Sequence, residues 1–204
     1  LNAHLQLCQS PEQSKIILKK FRDFGIKPNT TTYNIRISQA EYQNEAKEIY
    51  DLMLREGLRP NTYTLNGFMP FCTTVAEGRE IIKMMHKYNV QPNTQTYNGL
   101  ISMASGTQEG RIILEEMEQK NVVPNVVTYN SLIATANDYQ DSEKIYKEMK
   151  DSGFEPTLNT LVTLLKKAES RSDVAKVEQE RLNRKFPGTL VWEKQYAEKM
   201  NLTI

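Results

Sequence analysis

A short phrase recurs in this chain at one unvarying interval, and nothing else in the sequence limits the fold so tightly. Pro28-Asn29, Pro60-Asn61, Pro92-Asn93 and Pro124-Asn125 stand 32 residues apart, and Pro156-Thr157 follows at the same distance. The phrase is completed by Thr32-Tyr33-Asn34, Thr64-Leu65-Asn66, Thr96-Tyr97-Asn98 and Thr128-Tyr129-Asn130. A constant period without drift predicts tandem units, each stacked only on its neighbours. It also turns any side chain in a fixed slot into an evenly stepped row.

One unit, residues 125–156, shows what each copy builds. Asn125 and Thr128 offer capping side chains just after Pro124, which predicts a helix start. Tyr129, Leu132, Ile133 and Ala136 then recur at three- and four-residue spacing, the mark of one helical face. Asn137-Asp138 breaks the pattern, and a second helix is expected over about 140–152 with Ile145, Tyr146 and Met149 as its apolar stripe. Gly153, Phe154 and Pro156 end it. The stop slot reads Gly25, Gly57, Asn89, Asn121 and Gly153, residue types that enter the left-handed conformation cheaply. The next position is always apolar: Ile26, Leu58, Val90, Val122, Phe154. Ser14, Ala46, Gly78, Gly110 and Ser142 share a slot where helices must approach closely.

The fold expected is all-α: an α-solenoid, a right-handed superhelix of helix–turn–helix units. Residues 1–186 form five units and a degenerate sixth, whose helices are expected over about 158–169 and 172–185. Residues 187–204 supply a short helix around Trp192 that caps the stack, and a tail. Because Asn2 lies 32 residues before Asn34, the first unit is incomplete, and at least one turn and a targeting segment are expected upstream.

Several classes of function find no support. The formal charge is +1, from 26 basic and 25 acidic residues, so total charge demands no polyanion. No run of 18 apolar residues is present, so no membrane span is expected. His4 and His86 fall at unrelated points of the repeat and pair with no nucleophile, so catalysis is not expected. Two cysteines and two isolated histidines make no four-ligand metal site, and no cofactor is implied. Cys8 and Cys72 lie two periods apart in a slot otherwise held by alanine, and read as small packing residues. Gly106 and Gly110 lack the Lys-Ser/Thr that a phosphate loop needs. Glu115-Glu116 sits on a solvated helix face.

The asparagine rows are the candidate site. Asn29, Asn61, Asn93 and Asn125, with Thr157 in the fifth copy, directly follow proline, where capping is a sufficient reason for them. Asn2, Asn34, Asn66, Asn98 and Asn130 fall inside the first helices, past the cap, where asparagine is a poor choice. Two causes fit: a structural bond made in every unit, or a carboxamide facing a groove. There it would read the Watson–Crick edge of a splayed base.

The Pro-Asn-x-x-Thr-Tyr-Asn phrase, the Gly-apolar-x-Pro junction and the paired helices resemble the pentatricopeptide repeat family. That resemblance implies non-catalytic binding of single-stranded RNA, one nucleotide per unit, running 5′ to 3′ along the chain. It implies base-reading pairs Asn2 with Asn29, Asn34 with Asn61, Asn66 with Asn93, Asn98 with Asn125, and Asn130 with Thr157. An Asn–Asn pair implies a pyrimidine, leaning to cytosine. The slots that would clamp the base are Thr31, Tyr63, Gln95 and Val127, of which only Tyr63 and Val127 offer a good stacking surface. Phosphate contacts fall to Arg36, Lys166 and Lys167. The family's usual unit is a few residues longer than this one, which alters the expected pitch. Resemblance also implies an organelle, the mitochondrion before the plastid. The alternative is a structural subunit of an organellar ribosome or other large ribonucleoprotein, contacting protein and ribosomal RNA without reading sequence.

Overall fold

The computed structural model describes residues 2–3 and 11–201, and every regular element among them is helical. Cys8 and His4 lie outside the described residues, as does the side chain of Ser14. The chain divides into two compact units, Leu1–Gly99 and Leu100–Ile204.

The first unit contains α1 (Pro11–Asp23), α2 (Thr30–Ser38), α3 (Gln43–Arg55), α4 (Thr62–Asn66), a 3-10 turn (Met69–Phe71) and α5 (Val75–Lys87). Helix α6 (Thr94–Ser102) begins in it and crosses the division. Helix α2 packs on α3 and α4, and α4 on α5. Ile37, Ala46, Met53, Leu65 and Met85 are fully buried between them. Tyr50 meets Phe68 edge to face with ring centres 5.5 Å apart.

The second unit holds α7 (Thr107–Gln119), α8 (Val126–Thr135), α9 (Tyr139–Asp151), α10 (Leu158–Lys167), α11 (Arg171–Asn183) and α12 (Leu190–Met200). Helix α8 touches α7, α9 and α10, and α10 touches α9, α11 and α12. The stripes expected from the periodicity form the core: Ile113, Met117, Leu132, Ile133, Ile145, Met149, Leu161 and Leu165 are buried. Gly110 is small for a reason, since a Cβ there would stand 3.0 Å from Leu132 Cδ2. The molecule is therefore an all-α repeat solenoid.

Helix stops follow one pattern. Gly57, Asn89, Asn121 and Gly153 all have positive φ, and the next residue's N–H reaches back five positions, as in Val90 N to Met85 O at 2.8 Å. The sixth copy of the slot is Lys185, held at φ +56, with Phe186 N bonded to Arg181 O. A side chain therefore occupies a conformation that glycine or asparagine fills elsewhere.

Two local departures stand out. First helices elsewhere run nine or ten residues, as in α6 and α8, but α4 ends after five. Pro70 lacks an N–H and cannot continue a helix, so the chain closes instead into the 3-10 turn. Gly67 sits at that break, where a Cβ would come within 2.6 Å of Ile37 Cγ2. The other concerns α12. Its N-cap, Thr189, stands 32 residues after the Thr157 cap and makes the same bond, Oγ1 accepting from the N–H three residues on. The terminal segment thus begins in the register of a first helix, with Trp192 and Ala197 buried.

Cys72 is a free thiol, half-buried, with Sγ 3.6 Å from Phe68 O, and burial pushes its pKa up. That is the behaviour of a packing residue.

Candidate functional site

Each proline-flanked asparagine is the N-cap of a first helix. Asn29, Asn61 and Asn125 accept from the backbone N–H of Thr32, Thr64 and Thr128, and each threonine hydroxyl accepts from the asparagine N–H in return. This is a capping box written with threonine in the position usually held by Glu or Gln. It satisfies two of the backbone donors that open a helix. The threonines are fully buried, and the capping role expected of Thr128 is filled by Thr32 and Thr64 as well.

The same groups join consecutive repeats. Asn34 Nδ2 donates to Asn61 Oδ1 at 3.1 Å, and Thr64 Oγ1 donates to Asn34 Oδ1 at 2.6 Å. Asn66 repeats this with Asn93 at 3.1 Å and Thr96 at 2.8 Å. Asn2 does so with Asn29 at 3.3 Å and Thr32 at 2.8 Å. Of the two causes left open for the helix-interior asparagines, the structural bond is thus present in all three of these copies. Groove-facing donors survive beside it. Each such carboxamide spends its oxygen and one N–H, which leaves a second N–H. Asn61 and Asn93 use their oxygens in the box and the ladder, and their NH2 groups make no bond among the described residues.

In the first unit this ladder borders a groove of about 530 Å³. Its lining includes Thr31, Asn34, Asn61, Tyr63, Asn66 and Gln95, with Ile35, Gly67 and Pro70 beneath. Three of the four stacking candidates and three reading candidates therefore meet in one cleft. Tyr63 is 69% exposed, a bare ring at the rim. Asn66 is only 4% exposed, so its outward reach is small. Asn98 is buried, and Asn125 is an exposed cap. In the second unit Val127 is 54% exposed and shares a face of α8 with Asn130, three residues on. Thr157 caps α10, its side chain accepting from Thr160 N.

The cations expected at phosphates are differently placed. Lys166 is exposed. Lys167 is committed elsewhere: its Nζ donates to Ala136 O at 2.6 Å, closing the carbonyl end of α8. Lys199, one period later, does the same to Ala168 O at 2.8 Å, a coincidence of spacing that could have marked Lys167 as structural. Arg36 is half-buried, and burial lowers its pKa while Tyr33 and Glu45 oppose that. Second helices are also tied by charge. In the second unit Arg111 makes a two-pronged contact with Glu148 at 3.0 and 2.8 Å.

These features define a helix–turn–helix solenoid whose first helices are locked cap to interior by a polar side-chain ladder. The pentatricopeptide repeat domain model matches residues 16–74 and 112–169, more than half of the chain. The chain belongs to the pentatricopeptide repeat family. No curated protein sequence matches it. Among solved structures, the maize pentatricopeptide repeat protein PPR10 superposes with a TM-score of 0.57 and 21% identity, over 92% of this chain and 29% of its own. The repeat domain of Arabidopsis thaliana protein-only RNase P 1, in complex with tRNA, gives 0.56 and 18%, over 92% of this chain and 99% of that one. PPR10 in complex with an 18-nt psaJ RNA element gives 0.55 and 20%, over 97% and 35%. The chain therefore spans about a third of the maize protein's length, and these likenesses establish the fold.

Proposed function

We propose that this chain binds single-stranded RNA through its repeat units without catalysing a reaction, reading pyrimidines and preferring cytosine. The observation that carries this is the first-unit groove, where the exposed Tyr63 ring lies in one cleft with the Asn34 and Asn61 carboxamides. A base stacked on Tyr63 would bring its edge to those amides. With both oxygens bonded inward, the pair offers N–H donors alone. Cytosine is the base that sets two acceptors, N3 and O2, side by side on its Watson–Crick edge, so a donor pair complements it best. Relatives of the same fold solved with RNA or tRNA support the reading. An organelle, with the mitochondrion first, is the compartment proposed.

Fluorescence anisotropy with labelled oligo-C, oligo-U and oligo-A at low salt tests it. Oligo-C is expected to bind tightest, and Tyr63→Ala to weaken binding by roughly 1–3 kcal/mol, the worth of one stacked base. A second reading, a scaffold subunit of a large ribonucleoprotein, is favoured by the internal bonding of the carboxamides. Equal affinity for all three strands, or none tighter than about 10⁻⁴ M, would establish the scaffold over the reader.

A further inference from the structure

One charged clasp between second helices is not repeated, and an open cleft stands where it would be. Arg111 on α7 grips Glu148 on α9 through both terminal guanidinium nitrogens. One period later the same two slots hold Glu143 on α9 and Glu180 on α11, like charges that cannot clasp. A cleft of about 430 Å³ lies between these helices. Its floor is made by the buried Leu164, Val177, Tyr139 and Tyr146. Four exposed lysines, Lys144, Lys147, Lys150 and Lys176, stand around it. Both carboxylates are already answered from within the fold. Glu180 accepts from Tyr146 Oη at 2.6 Å and from Arg184 Nε at 2.9 Å, and Glu143 lies 3.7 Å from Lys176 Nζ. Lys144 pairs with Asp141 at 3.2 Å, whereas Lys147 makes no ion pair among the described residues. Lys150 reaches Glu180 only at 4.0 Å and rests 4.6 Å from the centre of the Tyr146 ring. The cleft thus carries surplus positive charge above an apolar floor.

We propose that this cleft docks a short acidic segment of a partner protein, one that presents an apolar side chain flanked by carboxylates. The inference is independent of the RNA-binding reading, because no residue of the cleft belongs to the asparagine ladder. Size selects a segment: a few hundred Å³ is the scale of a ligand pocket, too small to seat a folded domain. The floor selects the chemistry. Leu164 and Val177 favour an apolar side chain, which a phosphodiester backbone lacks. Tyr139 is 4% and Tyr146 6% exposed, and Lys176 and Lys150 lie over the two rings, so neither offers an open face on which a base could stack. The rim selects the charge. Lys144, Lys147 and Lys150 follow one another at about 4.5 Å of rise along α9. Their long stems let the ammonium groups close on carboxylates to either side of the inserted side chain.

Fluorescence anisotropy of the whole chain with a labelled peptide, a single leucine set among glutamates, tests this. A second peptide carries glutamine in place of every glutamate. The glutamate peptide is expected to bind roughly tenfold tighter, the product of two exposed ion pairs at about twofold to fivefold each. Lys147→Met should weaken its binding by about twofold to fivefold and leave the urea midpoint unchanged, since that side chain is exposed and makes no ion pair among the described residues. Glu143→Arg separates the cleft from charge alone. It restores the arginine–glutamate slots of the α7–α9 clasp and should close the cleft, while making the surface more positive. Binding of the glutamate peptide is expected to fall to the level of the glutamine peptide. Tighter binding to Glu143→Arg would show that net charge, not the cleft, attracts the peptide, and would overturn the inference. So would equal binding of the two peptides, an unchanged affinity of Lys147→Met, or equal binding of a version with serine for leucine. Excess oligo-C should leave the peptide in place; displacement would assign the lysines to RNA phosphates and overturn the peptide reading.

Discussion

Replacing Thr64 with valine removes one hydroxyl and keeps the shape, so it isolates what the ladder contributes. Thr64 is fully buried. Its oxygen accepts from Asn61 N at 3.1 Å and donates to Asn34 Oδ1 at 2.6 Å. Valine leaves a half-buried N–H without its partner, an effect of about 1–3 kcal/mol, and deletes a hydrogen bond worth about 0.5–1.5 kcal/mol. The Thr64 backbone bond to the Asn61 side chain survives. A loss of roughly 2–4 kcal/mol is expected from these two effects. Thr160→Val is the internal control. It removes the equivalent cap bond from Thr157, but no bond runs from Thr160 to Asn130. Its loss should be smaller by about 1 kcal/mol, the net worth of one intramolecular hydrogen bond. Urea unfolding gives the two values. Amide hydrogen exchange locates them, since nearest-neighbour stacking confines the effect of Thr64→Val to residues of the adjacent repeats. Equal losses for the two variants, or a Thr64→Val chain within about 0.5 kcal/mol of native, would refute the idea that the ladder couples repeats.

Three further outcomes are expected. Lys185→Gly should raise stability by about 1 kcal/mol, because a side chain at φ +56 is strained and glycine is not; an unchanged urea midpoint would show that the site relaxes around lysine. Glu77, held below the ordinary carboxylate range by the Thr73 N–H and then its hydroxyl, stabilises the fold above the unfolded value of about 4.3. That contribution is lost as pH falls through its lower folded pKa, so Glu77→Gln should flatten the acid limb of the stability profile. An acid limb of undiminished slope would contradict this. Lys166→Met should leave stability within about 0.5 kcal/mol of native and reduce the salt dependence of RNA binding by about one unit. Lys167→Met, which removes the bond to Ala136 O, should instead lower stability by about 0.5–1.5 kcal/mol. A reversal of those two results would exchange the roles of neighbouring lysines.

Much of the architecture was legible because each local rule pointed the same way at every 32-residue step. The caps at Asn29, Asn61 and Asn125, the left-handed stops at Gly57 and Asn89 and the buried stripe of Ile113 with Met117 are all local consequences of residue type. A proline and a glycine also explain the truncation of α4, but only once Ile37 is known to press on Gly67. Periodicity places residues on faces; it does not say which contact wins inside a crowded face.

The site divides in the same way. Sequence alone determined that an asparagine recurs in the first-helix slot from Asn2 to Asn130 and another at the caps from Asn29 to Asn125, because capping and helix phase depend on neighbours a few residues away. Tertiary structure decided where their hydrogen-bonding atoms point. Asn34 and Asn61 are 27 residues apart, and whether the carboxamide of one meets the oxygen of the other depends on how two repeats stack. The same stacking leaves Asn130 Oδ1 without a partner among the described residues, where the following cap is Thr157 rather than asparagine. Hydrogen bonds act over about 3 Å, so only folding can turn a period in the chain into a contact across it.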